Sequence, residues 1–222
     1  MTSRIKEIKA HIERWGWART IFHIIMRTAA DLLGIHVCVV RTREASSDPQ
    51  LPCTRSGIEY RQIETDELVA AVDDSELELD RGFVLDAIDR GDFAFGAFDN
   101  DNLIAYSWRS VTCAPHTHDL WVRVRRPYNY AYKSFTRPEY RGQRIIPSLI
   151  LFSDSVMLES GWTHRVGFIA ITNFASLEVG KHIESHVIGL GVFATYFGRC
   201  FSFRSKGVVK IGLEFFAPAS AS

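Results

Sequence analysis

The spacing of apolar residues predicts most of the helices and strands of this chain. Apolar side chains recur every three or four positions through residues 3–33, which predicts a long helix that Gly16 breaks or kinks. Further helices are predicted from Thr65 onward and over Asp80–Arg90, Ile145–Ser160 and Phe174–Glu184. Strands are predicted at His36–Thr42, Ile58–Ile63, Asp92–Asp99, Leu103–Val111, Leu120–Val124, Tyr128–Thr136, Arg165–Ile171, Gly191–Phe203 and Val208–Phe215.

Turn and loop residues divide the chain into two parts. The run Asp99-Asn100-Asp101-Asn102 predicts a hairpin between two strands, and residues 44–57 have the composition of a linker. We therefore expect an N-terminal helical extension over residues 1–50 and one larger domain over residues 51–222. The basic, apolar-striped extension is compatible with packing on its own domain, covering the acceptor site, pairing with a second subunit as a homodimer, or peripheral contact with an anionic membrane.

Composition and charge restrict the class of protein. A chain of 222 residues is long enough for one sizeable core. Its formal net charge is zero, so nothing global favours nucleic acid as a partner. The charge is uneven, however, because residues 51–102 hold 14 acidic and 4 basic side chains, whereas residues 103–222 hold 7 acidic and 14 basic ones. The basic second half suits an anionic ligand.

The four cysteines and the hydrophobic runs indicate a cytoplasmic protein. The cysteines are far apart, which argues against both a disulfide framework and a zinc site, so we expect no metal. Charged residues interrupt the N-terminus too often for a signal peptide. No run of about 18 apolar residues exists, so no membrane span is expected.

The segment from Thr136 to Pro147 is the most informative in the sequence. It follows a predicted strand and opens a predicted helix, so several backbone N–H groups and the positive end of a helix dipole point at one spot. Such a turn binds phosphate or pyrophosphate groups. Arg141 and Arg144 add positive charge beside it.

This turn resembles the pyrophosphate loop of the GNAT superfamily of acyl-CoA-dependent N-acyltransferases. Arg141 matches the first position of the family pattern, whereas Arg144 and Ile146 stand where the family usually has small residues. The order of predicted elements over residues 58–216 also resembles this family. The resemblance implies an α/β (α+β) fold with a mixed, mostly antiparallel central sheet and helices on both faces. It further implies a bulged strand before the loop that parts from its neighbour and leaves a gap for the acyl donor.

The resemblance also implies positions for the donor, with acetyl-CoA or another acyl-CoA as the acyl source. A backbone N–H near Phe135 or Thr136 would polarise the thioester carbonyl. Asn173 would reach the pantetheine arm, with helix capping as an equal alternative, and capping is favoured for Ser176. The expected donor-binding residues are Phe135, Thr136, Arg141, Gly142, Gln143, Arg144, Ile145, Ile146, Asn173 and Ser176.

The residues that would move protons are less well defined. The tyrosine that the family often places after the motif asparagine is Gly180 here, so the general acid is moved or absent. Tyr196, Glu184 and His182 are the candidate catalytic groups nearby. Glu59, Tyr130, Tyr132, His116 and His118 are candidate bases by sequence order. Alternate spacing places Tyr130 and Tyr132 on one side of a strand, where they line the acceptor pocket or pack in the core; with Glu59 they are the candidate substrate-binding residues.

These observations predict an N-acyltransferase, most simply an N-acetyltransferase. A primary amine of a small molecule, such as an amino sugar or an amino acid, would attack the thioester directly. Two alternatives stay open: an acyl carrier protein as the donor, which the basic second half would suit, and a domain that binds acyl-CoA as a sensor without catalysis.

Overall fold

The computed structural model describes residues 2–196 and 199–218. The predicted first helix is two helices, because Gly16 between them has a φ of 82° that a glycine adopts without strain. None of the described helices is long and apolar enough to cross a membrane. The helices are α1 (Thr2–Trp15), α2 (Trp17–Leu33), α3 (Thr65–Ala71), α4 (Arg81–Asp89), α5 (Ile145–Glu159), α6 (Phe174–His182) and α7 (Lys206–Lys210).

The strands form one large sheet and one small sheet. They are β1 (Ile35–Glu44), β2 (Ile58–Gln62), β3 (Phe93–Asp99), β4 (Asn102–Ser110), β5 (Cys113–Pro115), β6 (Trp121–Arg123), β7 (Tyr128–Thr136), β8 (His164–Ala170), β9 (His186–Tyr196), β10 (Arg199–Arg204) and β11 (Glu214–Phe216). The large sheet has the order β10-β9-β1-β8-β7-β4-β3-β2, and the small one has the order β11-β6-β5. Every pairing is antiparallel except that of β7 with β8. The predicted mixed, mostly antiparallel sheet is therefore confirmed.

Strand β1 lies in the interior of the large sheet. It pairs with β8 along one edge, from Cys38↔Ala170 to Glu44↔His164, and with β9 along the other. The sequence analysis had assigned this segment to an extension outside the domain. The difference arises because β1 pairs with strands more than 100 positions away, and such pairing leaves no local signal in the sequence.

The C-terminal part differs from the prediction in two places. The predicted strand Gly191–Phe203 covers most of β9 and all but the last residue of β10, which pair as a hairpin. The predicted strand Val208–Phe215 is instead the short helix α7 followed by β11. The helix forms because Ser205 starts it in an extended conformation and the fully buried Val208 anchors it, after which Gly212 at φ 70° turns the chain.

The two faces of the large sheet carry different layers of the core. Trp108 and Tyr106 pack on one face with the buried residues of α3 and α4, such as Leu68 and Val84. Ala105 packs on the opposite face with Ile145 of α5. Alternation of side chains along β4 produces this division, and helices cover both faces as predicted.

A buried ionic cluster holds α5 against the sheet. The carboxylate of Asp154 on α5 lies 3.2 Å from Nη2 of Arg109, 3.3 Å from Nε of Arg165 and 3.6 Å from Nη1 of Arg43. These arginines belong to β4, β8 and β1. Arg109 is fully buried, and burial lowers its pKa to about 10 while Asp154 opposes that effect. One carboxylate therefore fixes the helix to three strands.

Replacing Asp154 with asparagine should strongly destabilise the fold. The variant leaves Arg109 and Arg165 buried without a counter-charge, which costs ~3–5 kcal/mol. Urea denaturation measures the change in the free energy of unfolding. Asp31→Asn on α2 is the control, because Asp31 is exposed and lies 3.9 Å from Arg27, so its loss should cost under ~1 kcal/mol. Equal stability of the two variants would contradict the role of the cluster.

Candidate active site

The two parallel strands of the sheet separate to form a wedge. Strands β7 and β8 pair only from Tyr128↔His164 to Tyr130↔Val166, although both continue beyond that point. A Cβ added to Gly167 of β8 would lie 3.5 Å from the carbonyl oxygen of Ala131, so these two residues face each other where the strands begin to part. The predicted parting of the strand before the loop is thus present.

A bulge in β7 leaves backbone groups free along this wedge. The register with β4 shifts at Lys133, which has a φ of 32°, so the predicted bulge is present as well. Beyond the bulge, the Arg137 N–H donates to the Ile104 carbonyl of β4 at 2.9 Å. Because N–H groups alternate along a strand, those of Ser134 and Thr136 point toward the wedge, whereas that of Phe135 points toward β4.

The turn between β7 and α5 presents its backbone to solvent. Gly142 and Arg144 have φ values of 83° and 59°, so Arg144 occupies a left-handed conformation that favours glycine. Arg144 is exposed to solvent, as are Arg141 and Gly142. The helix leaves the N–H groups of Ile145 and Ile146 without a partner inside the helix, which is the geometry that binds anions.

Two hydrogen bonds anchor this turn to the hairpin and the linker beside it. The Tyr140 hydroxyl donates to the Asp99 carboxylate at 2.9 Å, and the Thr54 N–H donates to the Gln143 carbonyl at 3.3 Å. The guanidinium of Arg141 also folds back, with its Nε donating to the Thr136 carbonyl at 3.1 Å. The turn is therefore tied to its surroundings before any ligand binds.

A cavity of about 790 Å³ passes along the wedge from one face of the sheet to the other. Its size is typical of a small-molecule site. On the face that carries α5 and α6, its lining includes Ile146, Ile150, Val179, Gly180, Arg41 and Arg165. On the face that carries α4 and the small sheet, the lining includes Phe83, Trp121, Tyr130, Tyr132, Phe168 and His116. The wedge connects these two different environments.

The helix face of the cavity is cationic. Arg41 of β1 donates from Nε to the Ser185 hydroxyl at 2.8 Å and from Nη2 to the Ser185 carbonyl. Burial lowers the pKa of Arg41, and the nearby Arg165 lowers it further. Both guanidinium groups remain charged at neutral pH, since arginine does not deprotonate in proteins at this pH. This side therefore suits an anionic ligand.

The opposite face is aromatic. Tyr130 stacks on Tyr132 at 5.7 Å between ring centroids and on Phe168 across the wedge at 6.0 Å. The Tyr132 hydroxyl donates to the buried carboxylate of Asp92 at 2.8 Å, and Arg90 pairs with the same carboxylate at 2.9 Å. Burial raises the pKa of both tyrosines above the ordinary value. Both tyrosines are therefore protonated and uncharged at pH 7, so they line the cavity and do not act as bases.

A histidine, His116, lines the aromatic side. His116 follows β5, and its ring packs on Phe168 at 4.7 Å and on Phe193 at 6.1 Å. Burial lowers the pKa of His116, and His36 lowers it further. The imidazole is therefore neutral at pH 7 and able to accept a proton.

Two of the ten predicted donor-binding residues line the cavity, and others make ordinary structural contacts. Ile146 and Ser176 line the cavity. The side chain of Asn173 accepts a hydrogen bond from the Ser176 N–H at 3.1 Å, which is the capping geometry of α6. Phe135 stacks on Tyr106 at 5.5 Å, so its ring supports β7.

Four of the predicted catalytic and substrate residues lie outside the cavity lining. His182 on α6 is exposed, with Nδ1 2.9 Å from the Glu178 carbonyl, and Glu184 follows that helix in solvent at φ 52°. Tyr196 packs against Gly34 at the far end of β9. Glu59 lies on the edge strand β2 and pairs with Arg61 at 3.5 Å. These residues were expected near the site because of their positions in the sequence. The direction of α6 and the order of the strands place them elsewhere in the fold.

Arg41 and Arg165 are among the cavity residues that the sequence did not predict. Arg41 lies on β1, which was assigned to the extension, and Arg165 begins the predicted strand β8. Arg41 follows the apolar run Val37–Val40, and Arg165 precedes an apolar run in β8. A cation beside a run that reads as buried needs a partner or a ligand, but the sequence alone does not identify that partner.

Comparisons with known proteins identify the fold. No protein-family model and no curated protein matches the sequence. A GNAT-family acetyltransferase from Colwellia psychrerythraea matches 82% of this chain at 13% identity and a TM-score of 0.50. A GCN5-related N-acetyltransferase from Sphaerobacter thermophilus matches 80% of it at 11% identity and a TM-score of 0.51. The chain spans only 62% and 56% of the length of those two structures. Together with the wedge, the bulge and the turn, the likeness shows that this chain has the GNAT fold.

Proposed function

We propose that the protein is an N-acyltransferase that transfers an acyl group, most simply acetyl, from acyl-CoA to a primary amine of a small molecule. The observation that carries the proposal is the cavity that runs through the wedge from a cationic side to an aromatic side. A reaction between an anionic donor and an amine needs two such compartments that meet at one point.

The donor would enter on the side of α5 and α6. Its diphosphate would accept hydrogen bonds from the N–H groups of Ile145 and Ile146, with Arg141 and Arg144 supplying charge. Pro147 has no N–H and is tolerated in the first turn of the helix. The pantetheine arm would then lie along β7, beside Ile146 and Ile150.

The chemistry requires a polarised carbonyl and a neutral amine. The wedge-facing N–H of Ser134 or Thr136 would donate to the thioester carbonyl oxygen and stabilise the charge that develops there. The amine nitrogen would attack the carbonyl carbon from the aromatic side. His116 would take the proton that the nitrogen loses, directly or through one water molecule. The products would be an amide and free CoA, without a covalent enzyme intermediate.

The acceptor would be a small molecule rather than a protein tail. The aromatic walls formed by Tyr130, Tyr132 and Phe168 give a confined surface, and the exposed Asp86 at the rim would attract a cationic amine. Amino sugars and amino acids are the classes that fit this combination. Cytoplasmic location and the absence of a metal requirement belong to the same proposal.

An assay of thiol release tests the function. The protein is incubated with acetyl-CoA and a panel of amino sugars, amino acids and polyamines, and free CoA is measured with the amide product. We expect amine-dependent release for at least one class. Binding of CoA without turnover would favour the sensor, turnover only with an acyl carrier protein would favour that donor, and no binding of either would overturn the proposal.

Arg141→Glu should weaken acetyl-CoA binding at least about tenfold, because it replaces an attraction for phosphate with a repulsion. The side chain is exposed, so the fold should be unaffected. Isothermal titration measures the dissociation constant. Lys210→Glu changes the charge equally at the exposed end of α7 and serves as control. Equal weakening by both variants would show a general charge effect and contradict the turn as the phosphate site.

His116→Gln should lower kcat about 100-fold, within the usual range for the loss of a general base. Because the pKa of His116 is lowered, the acid limb of the kcat/KM profile of the unchanged protein should lie below about pH 6.5. The variant should lose that limb. His182→Gln removes a histidine outside the cavity lining and should change kcat less than about threefold. A similar loss in both variants, or an unchanged limb, would contradict the assignment.

A further inference from the structure

Arg41 occupies the helix side of the wedge in a fixed orientation. Its Cα pairs with that of Gly167, the residue that faces Ala131 where β7 and β8 part. Its Nε and Nη2 are both committed to Ser185, which leaves the Nη1 donors for another group. A guanidinium fixed at two of its three nitrogens is preorganised to receive an acceptor in the cavity.

Helix α6 leaves room for this guanidinium. A Cβ added to Gly180 would lie 2.7 Å from Nε and 3.1 Å from Cζ of Arg41. Any larger residue at this position would therefore displace the arginine. The helix contributes no titratable side chain at this point, and the arginine of β1 fills the space instead.

The charge of Arg41 has no counter-ion within residues 2–196 and 199–218. Among the described residues, no carboxylate forms an ion pair with it. A neighbouring charged group is another cation, Arg165, whose carboxylate partner Asp154 already serves Arg109 and Arg43. A partly buried cation beside a second one is costly unless an anion joins it. The site is therefore complete only when a negative charge occupies it.

We propose that Arg41 is a catalytic residue that stabilises the thiolate of CoA as it leaves. The inference rests on the proposed function. When the tetrahedral intermediate collapses, the C–S bond breaks and its electron pair stays on sulfur. Arg41 donates a hydrogen bond from Nη1 to that sulfur and keeps its own proton, while the amine proton goes to His116 and the thiolate later takes a proton from water. The reaction thus needs no protein acid for the leaving group.

A binding experiment isolates the sulfur. The dissociation constants of CoA and of desulfo-CoA, which lacks the thiol, are measured by calorimetry between about pH 6 and pH 9, a range that spans the ordinary pKa of a thiol. We expect the affinity for CoA, relative to desulfo-CoA, to rise about tenfold with pH, because a cation favours the thiolate by about that factor. Desulfo-CoA carries the same phosphates, so their titration cancels in the ratio, and the exposed His186 beside Arg41 on β9 is present in both complexes.

Arg41→Met should abolish this rise while desulfo-CoA still binds, and should lower kcat with acetyl-CoA by about 10- to 100-fold with little change in KM. Arg199→Met is the control, because Arg199 is exposed on β10 of the same sheet and lies outside the cavity lining. It should keep both the rise and kcat.

The outcomes separate this inference from the proposed function. If neither CoA nor desulfo-CoA binds the unchanged protein, the proposed function fails. If both bind and their affinity ratio does not depend on pH in the unchanged protein, the role of Arg41 is overturned although the function stands. That comparison uses no variant, so it decides the question even if Arg41→Met does not fold.

Discussion

The carboxylate of Asp154 is the constraint on which the rest of the structure depends. It draws Arg109, Arg165 and Arg43 together and so fixes α5 against strands that lie far apart in sequence. The N-terminus of a helix can bind an anion only at the place toward which its free N–H groups point. Helix α5 begins at the mouth of the wedge. Asp154 is the only carboxylate that pairs with Arg165 among the described residues, and it is already shared by three arginines. The neighbouring Arg41 therefore has no carboxylate partner among these residues. Stability and the cationic character of the cavity thus have one origin.

The insertion of β1 between β8 and β9 explains how the site acquires Arg41. Strand β8 can part from β7 because its other edge is fully paired with β1 over seven residues, so the open wedge does not leave it unsupported. The same pairing sets Arg41 opposite Gly167. Strand β1 therefore stabilises one side of the gap and also places the guanidinium of Arg41 in the cavity lining.

The sequence predicted the parts of the site that lie close together along the chain. The strand, turn and helix from Tyr128 to Glu159 carry local signals, whereas the bulge was expected only from the resemblance to the GNAT superfamily. The alternation of Tyr130 and Tyr132 correctly placed both on one side. The contribution of Arg41 was not predictable in this way, because its contacts with Ser185 and Gly180 span about 140 positions. Glu184 and His182 were predicted near the site but lie outside the cavity lining for a related reason. Sequence proximity to α6 does not determine which side of the helix faces the cavity.

The two sides of the wedge impose an order on the proposed reaction. Arg41 and Arg165 attract the anionic donor, but they repel an ammonium ion that approaches the same point from the aromatic side. Only the neutral amine can come within bonding distance of the thioester, so an ammonium substrate would release a first proton to solvent before its nitrogen enters the wedge, and the attacking nitrogen would lose a second proton there. His116 lies on the aromatic side, and its lowered pKa leaves it neutral at pH 7. Cations that would stabilise the departing thiolate on one side of the wedge therefore fit the proposal of a neutral base, His116, on the other side.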